Sequence, residues 1–322
     1  MKVLVTGGAG FIGSHLCEQL LANNCEVAII DDLNDFYSPA DKEKNLQGLR
    51  QRGNVYFRKC DIRDQDGVYK VFEEVRPDAI VHLAARAGVR PSLEQPFLYE
   101  QVNVYGTLVM LEAARRFGVN RFVFASSSSI YGIGNKVPFR EDDSESRPVS
   151  PYAATKIAGE KLCFTYSHLY GLKIVCLRFF TVYGPRQRPD LAIRKFIERI
   201  DQGRTIPVFG DGSSGRDYTF VGDTVSGILG ALRYDTPFDV FNLGNSSPIT
   251  LTELIRAIER ALGKQAHIER LPDQPGDVPI TYADITKAQR LLGYSPSTSL
   301  EKGLERFIDW YRATSTDVNL QV

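Results

Sequence analysis

Thr6-Gly7-Gly8-Ala9-Gly10-Phe11-Ile12-Gly13 is the stretch whose reading decides the fold. It follows a short apolar run, Lys2–Thr6, and opens a helical pattern near 12–22, the strand–turn–helix setting in which such glycines carry meaning. Gly7 permits a tight turn, Gly10 lets a pyrophosphate approach the backbone, and Gly13 lets helix and strand pack closely. The free N–H groups around Phe11, Ile12 and Gly13, with the positive end of the helix dipole, then hold the phosphates. A second apolar run, Glu26–Ile30, leads into Asp31, eighteen residues beyond Gly13. A carboxylate there accepts both ribose hydroxyls of NAD and repels the 2′-phosphate of NADP, so NAD is the expected cofactor. Asp32 stands beside it, and Asp61-Ile62, after a third strand, is placed to frame the adenine.

Outward from this turn, short apolar runs alternate with longer amphipathic ones. Strands are expected at Lys2–Thr6, Glu26–Ile30, Val55–Lys59, Ala79–Leu83, Arg121–Ser126 and Lys173–Arg178, and helices near 12–22, 40–50, 64–75, 94–117 and 152–171. That alternation specifies βαβ units and a parallel sheet, and a near-continuous run such as Val27-Ala28-Ile29-Ile30 suits a sheet covered on both faces. The expected fold class is α/β: a Rossmann-type doubly wound parallel sheet with a smaller α/β C-terminal substrate domain. After residue 180 Pro and Gly become frequent, and helical patterns follow near 191–203, 250–262 and 300–313. We therefore expect an NAD-binding domain over 1–180 with a return segment at about 217–245, made of a helix near 223–234 and a strand near 239–243. Residues 181–216 and 246–322 would form the second domain.

Bulk composition narrows the function classes. Lys plus Arg (39) balance Asp plus Glu (39), so no global field favours nucleic acid or a membrane surface, and a small-molecule ligand is expected. There is no run of about 18 apolar residues to span a bilayer, and Val3-Leu4-Val5 is too short for a signal peptide. Five scattered cysteines, Cys17, Cys25, Cys60, Cys163 and Cys176, suggest buried free thiols in a reducing cytosol. His15, His82, His168 and His267 are dispersed and lack ligand spacing, so no metal is expected.

Ser150-Pro151-Tyr152-Ala153-Ala154-Thr155-Lys156 reads as a helix start, with Ser150 as N-cap and Pro151 at the first helical position. Tyr152 and Lys156 are then i and i+4 on one helical face. A neighbouring ammonium, together with the positive nicotinamide of NAD⁺, favours phenolate and brings the tyrosine down towards neutrality, making Tyr152 a general base. Ser126-Ser127-Ser128-Ser129 ends a strand at the carboxyl edge of the sheet, where ligands bind, and supplies hydroxyls to meet a sugar.

These residues, with His82-Leu83-Ala84-Ala85, Asn103, Ile130-Tyr131-Gly132, Arg178–Arg186, Arg216-Asp217-Tyr218 and Pro275-Gly276-Asp277, resemble the extended short-chain dehydrogenase/reductase family over essentially the whole chain. The resemblance implies Tyr152, Lys156 and Ser127 as catalytic residues, and further cofactor contacts at Leu83, Ala84, Ala85, Asn103 and Phe179. In that family, sugar 4,6-dehydratases carry an Asp-Glu pair after the catalytic hydroxyl and the related decarboxylases a Glu. Ser127, four residues before Tyr131, takes the hydroxyl's position, so Ser128 and Ser129 stand where those acids would be. Without a carboxylic acid to protonate a leaving hydroxyl, dehydration lacks its general acid. The resemblance then implies 4-epimerisation of a UDP-sugar through a transient 4-keto intermediate.

Asp32–Tyr37, Ala87–Arg90 and Thr181–Asp190 are similar to the UDP-glucuronate 4-epimerase subfamily, which implies conversion of UDP-glucuronate to UDP-galacturonate. Thr181 takes the place of an Asn usual in UDP-galactose 4-epimerases and is expected, with Arg90, Ser128 and Ser129, near the sugar carboxylate. Arg188 and Arg216 are expected at the diphosphate, where a guanidinium fork matches phosphate oxygens. Asp277 completes the expected substrate contacts. Two alternatives stay open: a 4-epimerase for UDP-glucose or UDP-N-acetylglucosamine, and a non-catalytic NAD sensor. A cytoplasmic homodimer is implied, joined through the helices near 94–117 and 152–171.

Overall fold

A computed structural model describes residues 1–134, 136–143, 147–272 and 278–319, with side chains as far as residue 314. The first half runs β1 (Lys2–Thr6), α1 (Phe11–Ala22), β2 (Glu26–Asp31), α2 (Pro39–Arg52), β3 (Val55–Lys59), α3 (Gln65–Val75) and β4 (Ala79–His82). Then come α4 (Val89–Glu94), α5 (Pro96–Glu100), a π-helical turn (Gln101–Tyr105), α6 (Gly106–Phe117), β5 (Arg121–Ser127), a 3₁₀ turn (Ser128–Tyr131), α7 (Pro151–Tyr170) and β6 (Lys173–Phe179). The remainder is β7 (Thr181–Tyr183), α8 (Ala192–Asp201), β8 (Ile206–Phe209), β9 (Gly215–Phe220), α9 (Val221–Arg233) and β10 (Phe238–Leu243). It closes with β11 (Pro248–Thr250), α10 (Leu251–Leu262), β12 (Ile268–Leu271), α11 (Thr286–Leu292) and α12 (Leu300–Asn319).

Seven strands form one parallel sheet in the order β10-β6-β5-β4-β1-β2-β3. The expected doubly wound Rossmann sheet is therefore present, and its winding reverses between β1 and β4, which opens a crevice at their carboxyl ends. The apolar strands serve two cores because alternate side chains leave opposite faces of the pleat. Val3, Val5, Val27, Ile29, Val81 and Val123 join one cluster, while Leu4, Ala28, Ile30, Ile80, Phe122 and Phe124 join the other. The first cluster continues without a break into Ile193 and Phe196 of α8, Leu254 of α10 and Leu304 of α12. α9 and β10 return the chain to the edge of the main sheet, where β10 pairs with β6.

The helix expected over 94–117 is broken. Pro96 has no N–H and disfavours helical backbone at the residue before it, and Gln95 sits at φ −127°, ψ 51° between α4 and α5. The π-helical turn 101–105 then separates α5 from α6. Ala79–Leu83 is also one residue too long as a strand, because Leu83 turns into the loop beyond β4. Five short strands after residue 180 escape the sequence pattern. β7, β9 and β11 form a small sheet, and β8 pairs with β12; each is only 3–6 residues long, too short to show a period.

Candidate active site

The glycine turn is built as its sequence demands. Gly7 lies at φ +70°, and a Cβ on it would meet the Ala84 amide nitrogen at 2.9 Å. A Cβ on Gly13 would fall 2.2 Å from the Gly7 carbonyl oxygen. Gly10 is different: a Cβ there would meet only Gly7 O at 3.2 Å and the Tyr37 hydroxyl at 3.6 Å. Asp31 is buried at the end of β2 and accepts the amides of Ala9 at 3.1 Å and Leu33 at 2.9 Å. Burial raises its carboxyl, while the Leu33 amide and the Lys42 ammonium oppose that rise. An ionised carboxylate offers about four acceptor positions, so two remain for a ribose.

A cleft of about 480 Å³ runs from this turn along the carboxyl edge of the sheet. It brings together Gly7, Gly10, Phe11, Ile12, Gly13, Asp31, Asp32, Asp61 and Ile62 at one end, with Leu83, Ala84, Ala85 and Phe179 along its walls. Ser127, Ser128, Ser129, Tyr152, Lys156, Thr181 and Arg188 line it too. Asp61 is held by Arg63, whose Nε lies 3.0 Å and Nη2 2.6 Å from its Oδ2. Asn103 does not line this cleft. The π-helical turn points it at the loop after β4, where it accepts the Arg86 amide at 2.8 Å and donates to the Arg86 carbonyl at 2.9 Å.

Ser150 caps α7 by accepting the Ala153 amide at 3.2 Å, and Pro151 is its first residue. Tyr152 and Lys156 follow one turn apart. Tyr152 and Ser127 line the same cleft wall. The residues are expected to draw the tyrosine towards neutrality through Lys156 together with the positive nicotinamide of NAD⁺. Burial holds Tyr152 above the usual phenol value, and Ser127 and Arg188 oppose that rise. The Lys156 ammonium instead donates to the Ala125 carbonyl at 2.7 Å, 5.9 Å from the Tyr152 ring centre. Burial pushes Lys156 down to about 8, against Cys163 and Glu160.

The arginines divide. Arg188 lies in the cleft with its fork closed on Asp190, Nε to Oδ1 at 3.0 Å and Nη2 to Oδ2 at 2.8 Å, and its guanidinium lies over the Phe36 ring. Arg90 and Arg216 are not among the residues lining this cleft. Arg90 lies over the Phe209 ring, and Arg216, on β9, donates to the Gly215 carbonyl at 2.8 Å. Asp277 and the Pro275-Gly276 before it lie outside the described residues. The fully buried Asp217 accepts the amides of Asn245, Ser246 and Ala283 at 2.7, 3.0 and 3.0 Å, which fixes the turn after β10.

Two further cleft residues are given no individual role by the sequence. Tyr37 presents a buried hydroxyl without a hydrogen-bond partner beside Gly10. Arg86 lies over the same Phe36 ring as Arg188. Only the approach of three separate loops could reveal either. His82, by contrast, is spent on structure: its ring bonds the hydroxyls of Thr6 at 2.7 Å and Thr107 at 3.1 Å, and burial drives it down to about 3.

A family model described as GDP-mannose 4,6 dehydratase matches residues 4–307. The chain belongs to the extended short-chain dehydrogenase/reductase family. A UDP-glucuronate 4-epimerase of Thermodesulfobacterium geofontis is 44% identical over 308 residues, covering 95% of each chain. Among solved structures, the Bacillus cereus UDP-glucuronic acid 4-epimerase in complex with UDP-glucuronic acid and NAD superposes with TM-score 0.91 at 38% identity, covering 98% of this chain and all of that one. The Thermotoga maritima UDP-glucose 4-epimerase with UDP-glucose gives the same TM-score at 35% identity and the same coverage.

Proposed function

We propose that this chain is an isomerase that epimerises a UDP-sugar at C4 with NAD as cofactor, and that its substrate is UDP-glucuronate, converted to UDP-galacturonate. The observation that carries the reading is the meeting of the glycine turn, Asp31, the Ser127–Tyr152–Lys156 group and the hydroxyls of Ser128, Ser129 and Thr181 in one cleft. The room over Gly10, the two unused acceptor positions of Asp31 and the unpartnered Tyr37 hydroxyl fit a dinucleotide. Gly7, Gly10 and Gly13 with the α1 start would hold its pyrophosphate, Asp31 its ribose, and Ala84, Ala85 and Phe179 its remaining length. When bound, NAD supplies a hydride acceptor and donor at the sugar C4.

The chain's own residues then manage one proton. Tyr152 Oη takes it from the C4 hydroxyl and later returns it. Ser127, beside Tyr152 on the cleft wall, is proposed to orient both oxygens. The Lys156 ammonium and the nicotinamide charge together are proposed to favour the phenolate while the proton is away. Ser128 and Ser129 hold no proton strong enough to expel a hydroxyl, which separates this site from a dehydratase although the matching family model bears that name.

Thr181, Ser128 and Ser129 are proposed to bind the uronate carboxylate, and Arg188 lies close enough to act on Tyr152 electrostatically. A 4-keto uronate is a β-keto acid that tends to lose CO₂. Fixing its carboxylate so that the C–C bond cannot align with the ketone protects it. The C-terminal elements from β7 to β9 and from β11 onward supply the nucleotide-sugar half. Phe97, Phe164 and Leu169, exposed at 83%, 52% and 60% on α5 and α7, support a homodimer through these helices; light scattering on the purified protein tests it. The free cysteines support a reducing, cytosolic setting. Incubation with UDP-glucuronate, UDP-glucose and UDP-N-acetylglucosamine, with products resolved by NMR, tests the substrate. Epimerisation of a neutral sugar alone would move the specificity to the Thermotoga-like alternative.

A further inference from the structure

Arg178 belongs to the stretch that carries the family resemblance, yet the proton transfer above gives it no part. It is buried on β6 (8% exposed), where a guanidinium is costly unless fully engaged. Its Nε and Nη2 grip the Glu160 carboxylate at 3.0 and 2.9 Å, and Nη1 donates to the Tyr131 hydroxyl at 2.9 Å and the Glu141 carbonyl at 3.2 Å. Tyr131 donates onward to Asn242 Oδ1 at 2.7 Å, and the Asn242 amide donates to the Glu141 carboxylate at 2.8 Å.

The other end of this chain of bonds reaches the reacting group. Glu160 also accepts the buried Ser126 hydroxyl at 2.5 Å. Ser126 sits between Ala125, whose carbonyl accepts the Lys156 ammonium, and Ser127, which lines the cleft with Tyr152. Glu160 itself stands one helical turn beyond Lys156 on α7. The ion pair is thus tied to the Ser127–Tyr152–Lys156 group from both the strand and the helix that carry it.

We propose that Glu160 and Arg178 are positioning residues for the epimerisation. The Glu160 carboxylate fixes the Ala125–Ser127 strand end against α7 and sustains Lys156 as an ammonium, and Arg178 holds that carboxylate in place through its Nε and Nη2. Stability alone does not account for such a pair, since packed apolar side chains of similar volume hold a core equally well. The groups facing Lys156 are Tyr152, Glu160 and Cys163 on its own helix, the Ala125 carbonyl and Phe124 ring on β5, and His82 on β4. Arg178 stands behind Glu160 on β6. Glu160 is the carboxylate of that set, so its removal leaves Lys156 less able to hold its proton. The inference rests on the epimerase reading in that Ser127, Tyr152 and Lys156 carry the proton.

The test compares Glu160→Gln, Ser126→Ala and Tyr152→Phe with the parent, measuring kcat and KM for UDP-glucuronate across about pH 6 to 10. Glu160→Gln is expected to lose roughly 10-fold or more in kcat with KM within about threefold, and its alkaline limb is expected to fall by roughly one pH unit. Ser126→Ala keeps the carboxylate, so its kcat falls while its alkaline limb stays in place. A folded Glu160→Gln with parental kcat overturns the proposal, and so does a loss of kcat with the limb unmoved. If Glu160→Gln does not fold, Ser126→Ala decides: parental kcat overturns the proposal, and a fall in kcat at unchanged KM and melting temperature upholds it. Tyr152→Phe separates the two readings. Lost turnover there beside a parental Glu160→Gln overturns this inference alone, whereas parental turnover in Tyr152→Phe overturns the reading beneath both.

Discussion

Gly10 and Gly13 serve the same turn by different means, and alanine at each is expected to fail differently. On Gly13 a Cβ would lie 2.2 Å from the Gly7 carbonyl oxygen and 2.8 Å from the Gly8 Cα. Both are backbone atoms that cannot rotate away, so Gly13→Ala must open the turn. The cost is ~3 kcal/mol or more, at the upper end of overpacking effects, which lowers Tm by roughly 5 °C. Gly10 sits at φ −76°, ψ −175°, extended backbone open to any residue. Its Cβ would meet Gly7 O at 3.2 Å and the Tyr37 hydroxyl at 3.6 Å, contacts that a shift of a few tenths of an ångström relieves. As the N-cap of α1 it has little to lose, about 0.5–1 kcal/mol on replacement by alanine.

The methyl of Gly10→Ala does occupy the cleft wall where a pyrophosphate must approach. We expect about 100-fold weaker NAD binding, ~2.7 kcal/mol, in a protein whose cofactor-free melting point stays within roughly 2 °C of the parent. Calorimetric melting of stripped protein and fluorescence titration with NAD measure the two quantities separately. Parental NAD affinity in Gly10→Ala would refute the placement of the pyrophosphate. A loss of fold stability matching that of Gly13→Ala would refute the division of labour.

Tyr37→Phe removes a buried hydroxyl that has no partner, so the cofactor-free protein should gain about 1 kcal/mol while NAD dissociates roughly fivefold faster; stopped-flow release measures the second effect. Thr181→Ala or Ser128→Ala is expected to raise the UDP-pentose by-product relative to epimer in NMR product ratios, and an unchanged ratio removes these hydroxyls from the carboxylate clamp. Lys156 is pushed down to about 8, so its ammonium is present below that pH and lost above it. The kcat/KM profile should therefore decline as pH rises through about 8, and a rate that stays level well beyond that point would show that the ammonium is not required.

Local features were legible in the residues themselves. The glycine turn, the cap at Ser150, the apolar strands and the i, i+4 pair Tyr152–Lys156 each depend on neighbours within a few positions, and backbone sterics and helical period act at that range. The carboxyl-edge position of Ser127, Ser128 and Ser129 followed because a strand's direction in a parallel sheet fixes which end meets the ligand. The broken helix after Glu94 was readable in principle, since Pro96 stands in the sequence, but amphipathic spacing continued across it and masked the break. Tertiary packing alone decided the rest. Asn103 braces Arg86 from a π-helical turn. Tyr37 turns an unpartnered hydroxyl towards Gly10, and Lys156 points at Ala125. Tyr131 meets Asn242 across 111 positions of chain. Such partners are chosen by the geometry of burial, where most buried polar groups find a bond, and no local spacing in the sequence encodes which one is found.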